Sequence, residues 1–279
     1  MLVQGLTGRE GRLHAQLMRE YGTNVVAGVT PFKGGSTVDG LPVYNSVAEA
    51  VRHHKIGASI IFVPARFAPD AMLEARQCDI PWTVCVTEGI PQAQMVPLLP
   101  RLQHGPTRFI GPNTPGFILP GQMKVGIMPG AAFTPGPVAV LSRSGTLTYE
   151  CVAQLTNAGL GQSVCFGIGG DPFTGSSFVD LCRLLENDEA TKAVLVLGEI
   201  GGNAEQDLAH WVATTGFSKP VVAFVAGQTA PQGKKLGHAG AIIEGSHSNT
   251  DKLAVMRAAG FGICPDLTSI PDALRQALS

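Results

Sequence analysis

An α/β fold in two parallel-sheet domains is the expectation from this sequence, and three observations carry it. Short β-branched runs alternate with helical stretches almost throughout, the pattern of parallel strands joined by crossover helices. At 279 residues the chain can supply two domains of ordinary size, each with its own core. The segment Met128-Pro129-Gly130-Ala131-Ala132-Phe133-Thr134-Pro135-Gly136-Pro137 is dense in Pro and Gly and reads as a linker. The expected division is therefore residues 1–127, a linker over 128–137, and residues 138–279.

In chain order, the apolar runs of the first half predict strands at Leu2–Gln4, Asn24–Val29, Ser59–Val63, Trp82–Val86 and Arg108–Ile110. Helices are expected between them near Glu10–Tyr21, Val47–His53, Ala68–Gln77 and Gln92–Leu102. After the linker, Val138–Leu141, Ser163–Ile168, Ala193–Leu197 and Val221–Val225 read as buried strands. Helices follow near Leu147–Ala158, Ser177–Leu185, Ala204–Thr215 and Asp251–Ala259.

Charged residues are 15% of the chain against a norm of about 25%, and the net charge is -1, so the basic footprint of a nucleic-acid binder is missing. The difference is made up by 35 Gly, and a chain so rich in Gly without low complexity is expected to present bare backbone N–H groups to ligands. No apolar run reaches the ~20 residues that a membrane-spanning helix needs. The start, Met1-Leu2-Val3-Gln4-Gly5, has neither a basic region nor a signal-type apolar core, which leads to the expectation of a cytoplasmic protein. Cys78, Cys85, Cys151, Cys165, Cys182 and Cys264 form no C-x-x-C, and they are expected to be reduced core residues.

The first candidate site is Gly5-Leu6-Thr7-Gly8-Arg9-Glu10-Gly11, which follows a strand and opens a helix. Unpaired N–H groups and the helix dipole favour a phosphate there, although glycines at such a turn also serve purely structural ends. A nicotinamide site would want an acid after the second strand to hold a ribose hydroxyl. That strand instead runs into Val29-Thr30-Pro31-Phe32-Lys33-Gly34-Gly35, and Lys33 suits a phosphorylated ribose such as that of CoA or NADP better than that of NAD.

In the second half each strand enters a loop of small residues: Ser142-Arg143-Ser144-Gly145-Thr146, Gly167-Ile168-Gly169-Gly170-Asp171 and Gly198-Glu199-Ile200-Gly201-Gly202. A fourth, Gly237-His238-Ala239-Gly240-Ala241, comes after Gly227–Lys235. Parallel strands end on one edge, so these loops should converge there, with Ser142, Ser144, Gly145 and Thr146 forming an anion site at a helix start. Glu199, leaving an apolar strand, is either a capping acid or a functional carboxylate. His238, set among glycines on no helical face, is read as a nucleophile whose tautomer Glu199 would fix. His53, His54, His104, His210 and His247 are read as ordinary surface residues. The Gly227–Lys235 run is not a phosphate-binding G-x-x-x-x-G-K-[ST] loop, being one residue too long and lacking the final Ser or Thr, so phosphate is expected to arrive from another chain.

Seven runs in order carry a resemblance over nearly the whole length: Gly28–Gly35, Thr87–Pro91, Gly111–Asn113, Ser142–Glu150, Gly167–Pro172, Gly198–Gly202 and Gly237–Ile243. In these the chain resembles the α subunit of succinate–CoA ligase (succinyl-CoA synthetase). The resemblance implies a Rossmann-like CoA-binding domain followed by a flavodoxin-like ligase domain. By position, Thr7, Gly8, Arg9 and Glu10 would hold CoA phosphates, with Lys33, Val86, Thr87 and Glu88 completing that site. His238 matches the family's phosphorylated histidine, Glu199 the acid that orients it, and Tyr149 a residue near the acid substrate.

The resemblance further implies an αβ or α2β2 assembly whose ATP-grasp β subunit binds ATP or GTP and Mg. The chemistry implied is phosphorylation of His238, formation of an acyl phosphate, and attack by the CoA thiol. Thr114, after Gly-Pro-Asn, stands where the family usually has Cys, and Glu244 where a small or uncharged residue is usual. Both are compatible with a related acid, malate first. A non-catalytic CoA-binding relative would be expected to lack His238.

Overall fold

The computed structural model describes residues 1–103, 105–227 and 249–279. Two units are resolved: Met1–Ile118 with Gln122–Met128 and Phe173–Gly175, and Leu119–Gly121 with Pro129–Pro172 and Ser176–Ser279.

In the first unit the opening apolar run forms β1 (Leu2–Gln4), wholly buried. It is followed by α1 (Arg9–Glu20), β2 (Ala27–Val29), β3 (Thr37–Val38), β4 (Leu41–Tyr44), α2 (Val47–His53), β5 (Ala58–Ile61) and α3 (Ala68–Gln77). Then come β6 (Trp82–Cys85), α4 (Gln92–Gln103), β7 (Arg108–Ile110), β8 (Gly116–Leu119) and β9 (Met123–Gly126). The sheet order is β3-β4-β2-β1-β5-β6-β7, parallel except for the β3–β4 pair. Gln4 is level with Val29 on one side and Ile61 on the other, so the strand order reverses beside β1. An open α/β sheet leaves a crevice at its carboxyl edge at that point.

The helices form where caps and apolar spacing agree. In α1, Gly11, Ala15 and Met18 are buried at helical intervals, one stripe toward the core. Ser46 caps α2 by accepting the Glu49 N–H at 3.0 Å, and the Glu49 carboxylate accepts the Asn45 N–H at 2.9 Å. Apolar side chains from strands and helices, among them Leu2, Val29, Val47 and Ile80, then Ile61, Met72, Leu98 and Phe109, fill the core.

The second unit holds β10 (Pro135–Ser142), α5 (Gly145–Asn157), β11 (Gln162–Gly167), α6 (Phe178–Leu185), β12 (Ala193–Glu199) and α7 (Ala204–Thr215). It continues with β13 (Val221–Ala226), α8 (Asn249–Ala258), β14 (Gly262–Ile263) and α9 (Ile270–Leu278). Its strands run parallel in the order β14-β13-β12-β10-β11, with every residue of the central β12 buried. Here the order reverses beside β10.

The fold is the α/β, mostly parallel architecture expected, with local differences. Strand β2 starts at Ala27 rather than Asn24: the Val25 N–H turns back onto the Thr23 carbonyl at 2.9 Å, while the Val26 N–H reaches the Met1 carbonyl at 3.0 Å just ahead of the strand. The hairpin β3–β4 was not anticipated, although Asp39 (φ 47°) and Gly40 (φ 80°) make the two-residue left-handed turn that joins such strands. Strands β8 and β9 carry no period-2 signal, since they approach through glycines: a Cβ on Gly116 would lie 2.0 Å from the Val125 carbonyl oxygen. Within the segment expected as a linker, β10 already begins at Pro135 and Phe133 is buried. A Cβ on Gly136 would meet Gly161 at 2.4 Å, so the glycine there serves a close backbone approach.

All six cysteines are free thiols, five of them buried and Cys78 half-buried. Among the described residues no helix is long and apolar enough to cross a membrane.

Candidate functional site

In the first unit, glycine makes the turn from β1 into α1 possible. Gly5 has φ 87° and donates its N–H to the Val29 carbonyl at 2.8 Å, and the Gly8 N–H returns to the Gly5 carbonyl at 3.0 Å. A Cβ on Gly11 would sit 2.2 Å from the Gly5 carbonyl oxygen, so only glycine lets the helix come this close to the strand. The first turn of α1 therefore opens, capped by extended Gly8, at the strand-order reversal.

A cavity of about 690 Å³ lies at that edge, walled by the ends of β1, β2 and β5 and the start of α3. Thr7 and Gly8 are part of its wall, as are Thr30, Phe32, Phe62, Val63 and Phe67. The Thr7 hydroxyl donates to Thr30 Oγ1 at 3.2 Å, and Thr30 passes its own hydrogen to the Val29 carbonyl at 2.9 Å.

The remaining residues expected around CoA are less uniformly placed. Lys33 is exposed and adjoins Phe32, and the Thr87 hydroxyl donates to the Val63 carbonyl at 2.7 Å, tying the half-buried Val86 and Thr87 to the wall. Arg9 and Glu10 project from the first helical turn, their side chains 3.8 Å apart and largely in solvent, and Glu88 is exposed. Sequence reasoning passed over Thr30, Phe62 and Phe67. The available signal was position: residues just past β2 and β5, the two neighbours of the first strand.

In the second unit, Ser142 is level with Gly167 on β11 and Leu197 on β12, so the loops after these strands do leave the same edge. Ser144 caps α5, its Oγ accepting the Leu147 N–H at 3.4 Å. The Ser142 hydroxyl is fully buried and donates to the Ser144 carbonyl at 2.9 Å. Both hydroxyls thus build the turn, and an anion would meet half-buried Gly145 and exposed Thr146 at the helix start, where first-turn N–H groups lack intrahelical partners. Tyr149, one turn on, is half-buried, and burial pushes its phenol up to about 12.

Glu199 ends β12 and is 5% exposed. Beneath its loop lies a charged cluster the sequence did not reveal. Fully buried Glu205 accepts the Glu199 N–H at 3.1 Å and pairs with Arg143 at 3.4 Å and with Lys252. Arg143 Nη1 donates to the Gly201 carbonyl at 3.2 Å, and Lys252 Nζ to the carbonyls of Glu199 at 3.0 Å and Gly201 at 3.1 Å. A Cβ on Gly198 would lie 2.7 Å from the Glu205 side chain. Burial holds the Lys252 ammonium below its ordinary pKa, against the pull of Glu205. The loops after β10 and β12 are thereby joined through Arg143, and the path of Glu199–Gly202 is set by ions.

His238 and Glu244 lie outside the described residues, as do His104 and His247. Thr114 is buried, and its Oγ1 accepts the Gly116 N–H at 2.9 Å, a role in its own turn. Among the described residues no three His, Cys, Asp or Glu side chains gather closely enough to hold a metal ion.

Comparison with known proteins bears on both crevices. Residues 1–89 match the CoA binding domain family, and residues 141–259 the CoA-ligase family. Subunit alpha 1 of succinate–CoA ligase [ADP-forming] from Archaeoglobus fulgidus is 51% identical over 279 residues, covering 100% of this chain and 95% of that one. The corresponding alpha subunit from Staphylococcus aureus is 46% identical over 278 residues, 99% of this chain and 92% of that one.

Among solved structures, ATP citrate lyase from Methanothrix soehngenii superposes with a TM-score of 0.85 over 99% of this chain at 24% identity, and this chain spans 49% of the lyase chain. A dinucleotide-forming acetyl-coenzyme A synthetase from Ca. Korarchaeum cryptofilum superposes with a TM-score of 0.77 at 18% identity, this chain spanning 59% of it. Those two likenesses speak for the fold alone.

Proposed function

This chain belongs to the family of ADP-forming succinate–CoA ligase α subunits, and from that premise we propose how its two crevices divide the work. The first crevice takes CoA, with Thr7, Gly8, Arg9 and Glu10 at its phosphates and Lys33, Val86, Thr87 and Glu88 around the rest. The second crevice moves a phosphoryl group. A β subunit of the ATP-grasp type supplies that group from ATP or GTP with Mg, and the αβ unit, alone or doubled, is the working enzyme.

The reaction then runs in three balanced steps. The His238 imidazole attacks the γ-phosphorus and the nucleoside diphosphate leaves. A succinate carboxylate oxygen, with Tyr149 nearby, takes the phosphoryl group from the ring nitrogen and becomes an acyl phosphate. The CoA sulfur attacks the acyl carbonyl, the thiol gives up its proton, and inorganic phosphate departs. Covalent relay of this kind conserves the group-transfer energy of the nucleotide. Glu199 fixes the imidazole tautomer, and the Gly145 and Thr146 amides meet the moving charge, with Ser142 and Ser144 holding their turn in shape.

The observation that carries this reading is the bond from Arg143 to the Gly201 carbonyl. It holds the loop bearing Glu199 beside an anion-attracting helix start. The test is incubation of the chain and its β subunit with γ-labelled ATP, followed by peptide mapping. The expected result is an acid-labile, base-stable phosphate on the peptide containing His238, absent in His238→Asn and formed more slowly in Glu199→Gln. Label on another peptide, or none on wild type, would overturn the mechanism. Turnover with succinate, malate and itaconate in the same preparation identifies the acid.

A further inference from the structure

Phe32 is out of keeping with the rules that shape the rest of the chain. The turn Thr30-Pro31-Phe32-Lys33 closes through the Lys33 N–H to the Thr30 carbonyl at 3.1 Å, with Pro31 second and Phe32 third. Phe32 has φ 64°, and a turn of this type asks for glycine, or at most asparagine, in that slot. A bulky residue in left-handed backbone is a genuine outlier, and such strain persists where function needs it. Nor does burial compensate: Phe32 is 101% exposed.

The loop around it is nonetheless firmly built. The Gly34 N–H donates to Asn45 Oδ1 at 2.9 Å, the Gly35 N–H to the Val43 carbonyl at 3.0 Å, and the Ser36 hydroxyl to the Lys33 carbonyl at 2.6 Å. The backbone that aims this ring is therefore fixed. Phe32 is part of the wall of the first unit's cavity, which also carries Phe67, half-exposed, with the Arg66 guanidinium 4.7 Å from its ring centre. The cavity thus presents aromatic surface together with the helix start at Gly8, with the exposed cation Lys33 next in sequence to Phe32 and the carboxylates Asp70 and Glu74 on the α3 side of the wall.

A ligand suited to that sequence of features has a flat apolar ring flanked by phosphates. We propose that Phe32 is the stacking face for the adenine base of CoA, fixing the nucleotide end of the ligand while the helix start and Lys33 hold its phosphates. This rests on the reading of the first crevice as the CoA site. The strain at Phe32 is then retained because the ring gains its burial only when the ligand covers it.

The experiment measures binding by calorimetry to the full chain with three probes: CoA, adenosine 3′,5′-bisphosphate, which keeps the base, and 4′-phosphopantetheine, which lacks it. In Phe32→Gly, affinity for CoA and for the bisphosphate should fall about tenfold, as base–aromatic stacking predicts, with phosphopantetheine unchanged. Phe32→Trp should restore both. The melting temperature of Phe32→Gly should not fall, because glycine relieves the backbone, so lost binding cannot be lost folding. An equal loss for all three probes overturns the assignment to the base. Unchanged CoA affinity in Phe32→Gly, with a loss in Lys33→Ala, overturns the role of Phe32 and leaves the site standing. Failure of wild type to bind CoA overturns the site together with the proposal.

Discussion

Without the Glu205 carboxylate, Arg143 and Lys252 would lose the anion they share inside a buried cluster. Breaking a buried pair leaves uncompensated charge and costs about 3–5 kcal/mol, far more than a surface ion pair is worth. Glu205→Leu should destabilise the chain by that amount in urea unfolding, and slow phosphorylation of the chain because the Glu199–Gly202 loop loses its anchors. A change below about 1 kcal/mol would mean the cluster is incidental. Tyr149 makes a second, quieter statement. Its phenol is held at about 12 by burial, with Cys165 adding to it, while an unfolded tyrosine ionises near 10. The folded chain therefore holds the proton longer. Stability from the neutral phenol is complete below about pH 10 and lost as pH rises through 12. Absorbance titration at 295 nm should show a late tyrosine step that Tyr149→Phe removes.

At the scale of elements, the glycines at strand–helix junctions set how near the parts can come. Gly11→Ala adds a methyl 2.2 Å from the Gly5 carbonyl oxygen, backbone that cannot yield, so α1 must lift from β1. The expected result is loss of CoA affinity by at least tenfold together with a lower melting temperature, whereas Gly35→Ala, open on all sides, should suffer only from its φ of 83°. Equal behaviour of the two variants would show that close approach is not what the glycine provides. Helices were the most legible elements: Val47–His53, Ala68–Gln77 and Ala204–Thr215 lie where apolar spacing and turn residues put them. The terminal helix α9 was missed despite Pro271 in its first turn and Ile270 and Leu274 on one buried face. The Asp39-Gly40 hairpin was missed because its strands are two and four residues long, too short for a period to register.

For the molecule as a whole, composition and the alternation of apolar runs sufficed for the class, two α/β parallel-sheet units, because a strand buried on both faces and a helix with one apolar stripe leave local marks. The glycine loops were equally plain as runs of small residues, though such a run does not say whether it serves a ligand or a close backbone approach, and His238 lies outside the described residues. Strand order was not legible. Pairing depends on contacts between residues far apart in sequence, and it is the reversal beside β1 and beside β10 that turns scattered loops into crevices. The same holds for Glu205, which reads as an ordinary first-turn acid until Arg143 and Lys252 arrive from 62 and 47 residues away. The sequence by itself determined the longer strands and helices and which loops between them are rich in small residues, because those properties are written in neighbouring residues. Only the tertiary structure decided which loops meet, that Phe32 stands bare in a turn built for glycine, and which ions lie in the dark beneath Glu199, because burial and charge pairing are properties of the assembled chain.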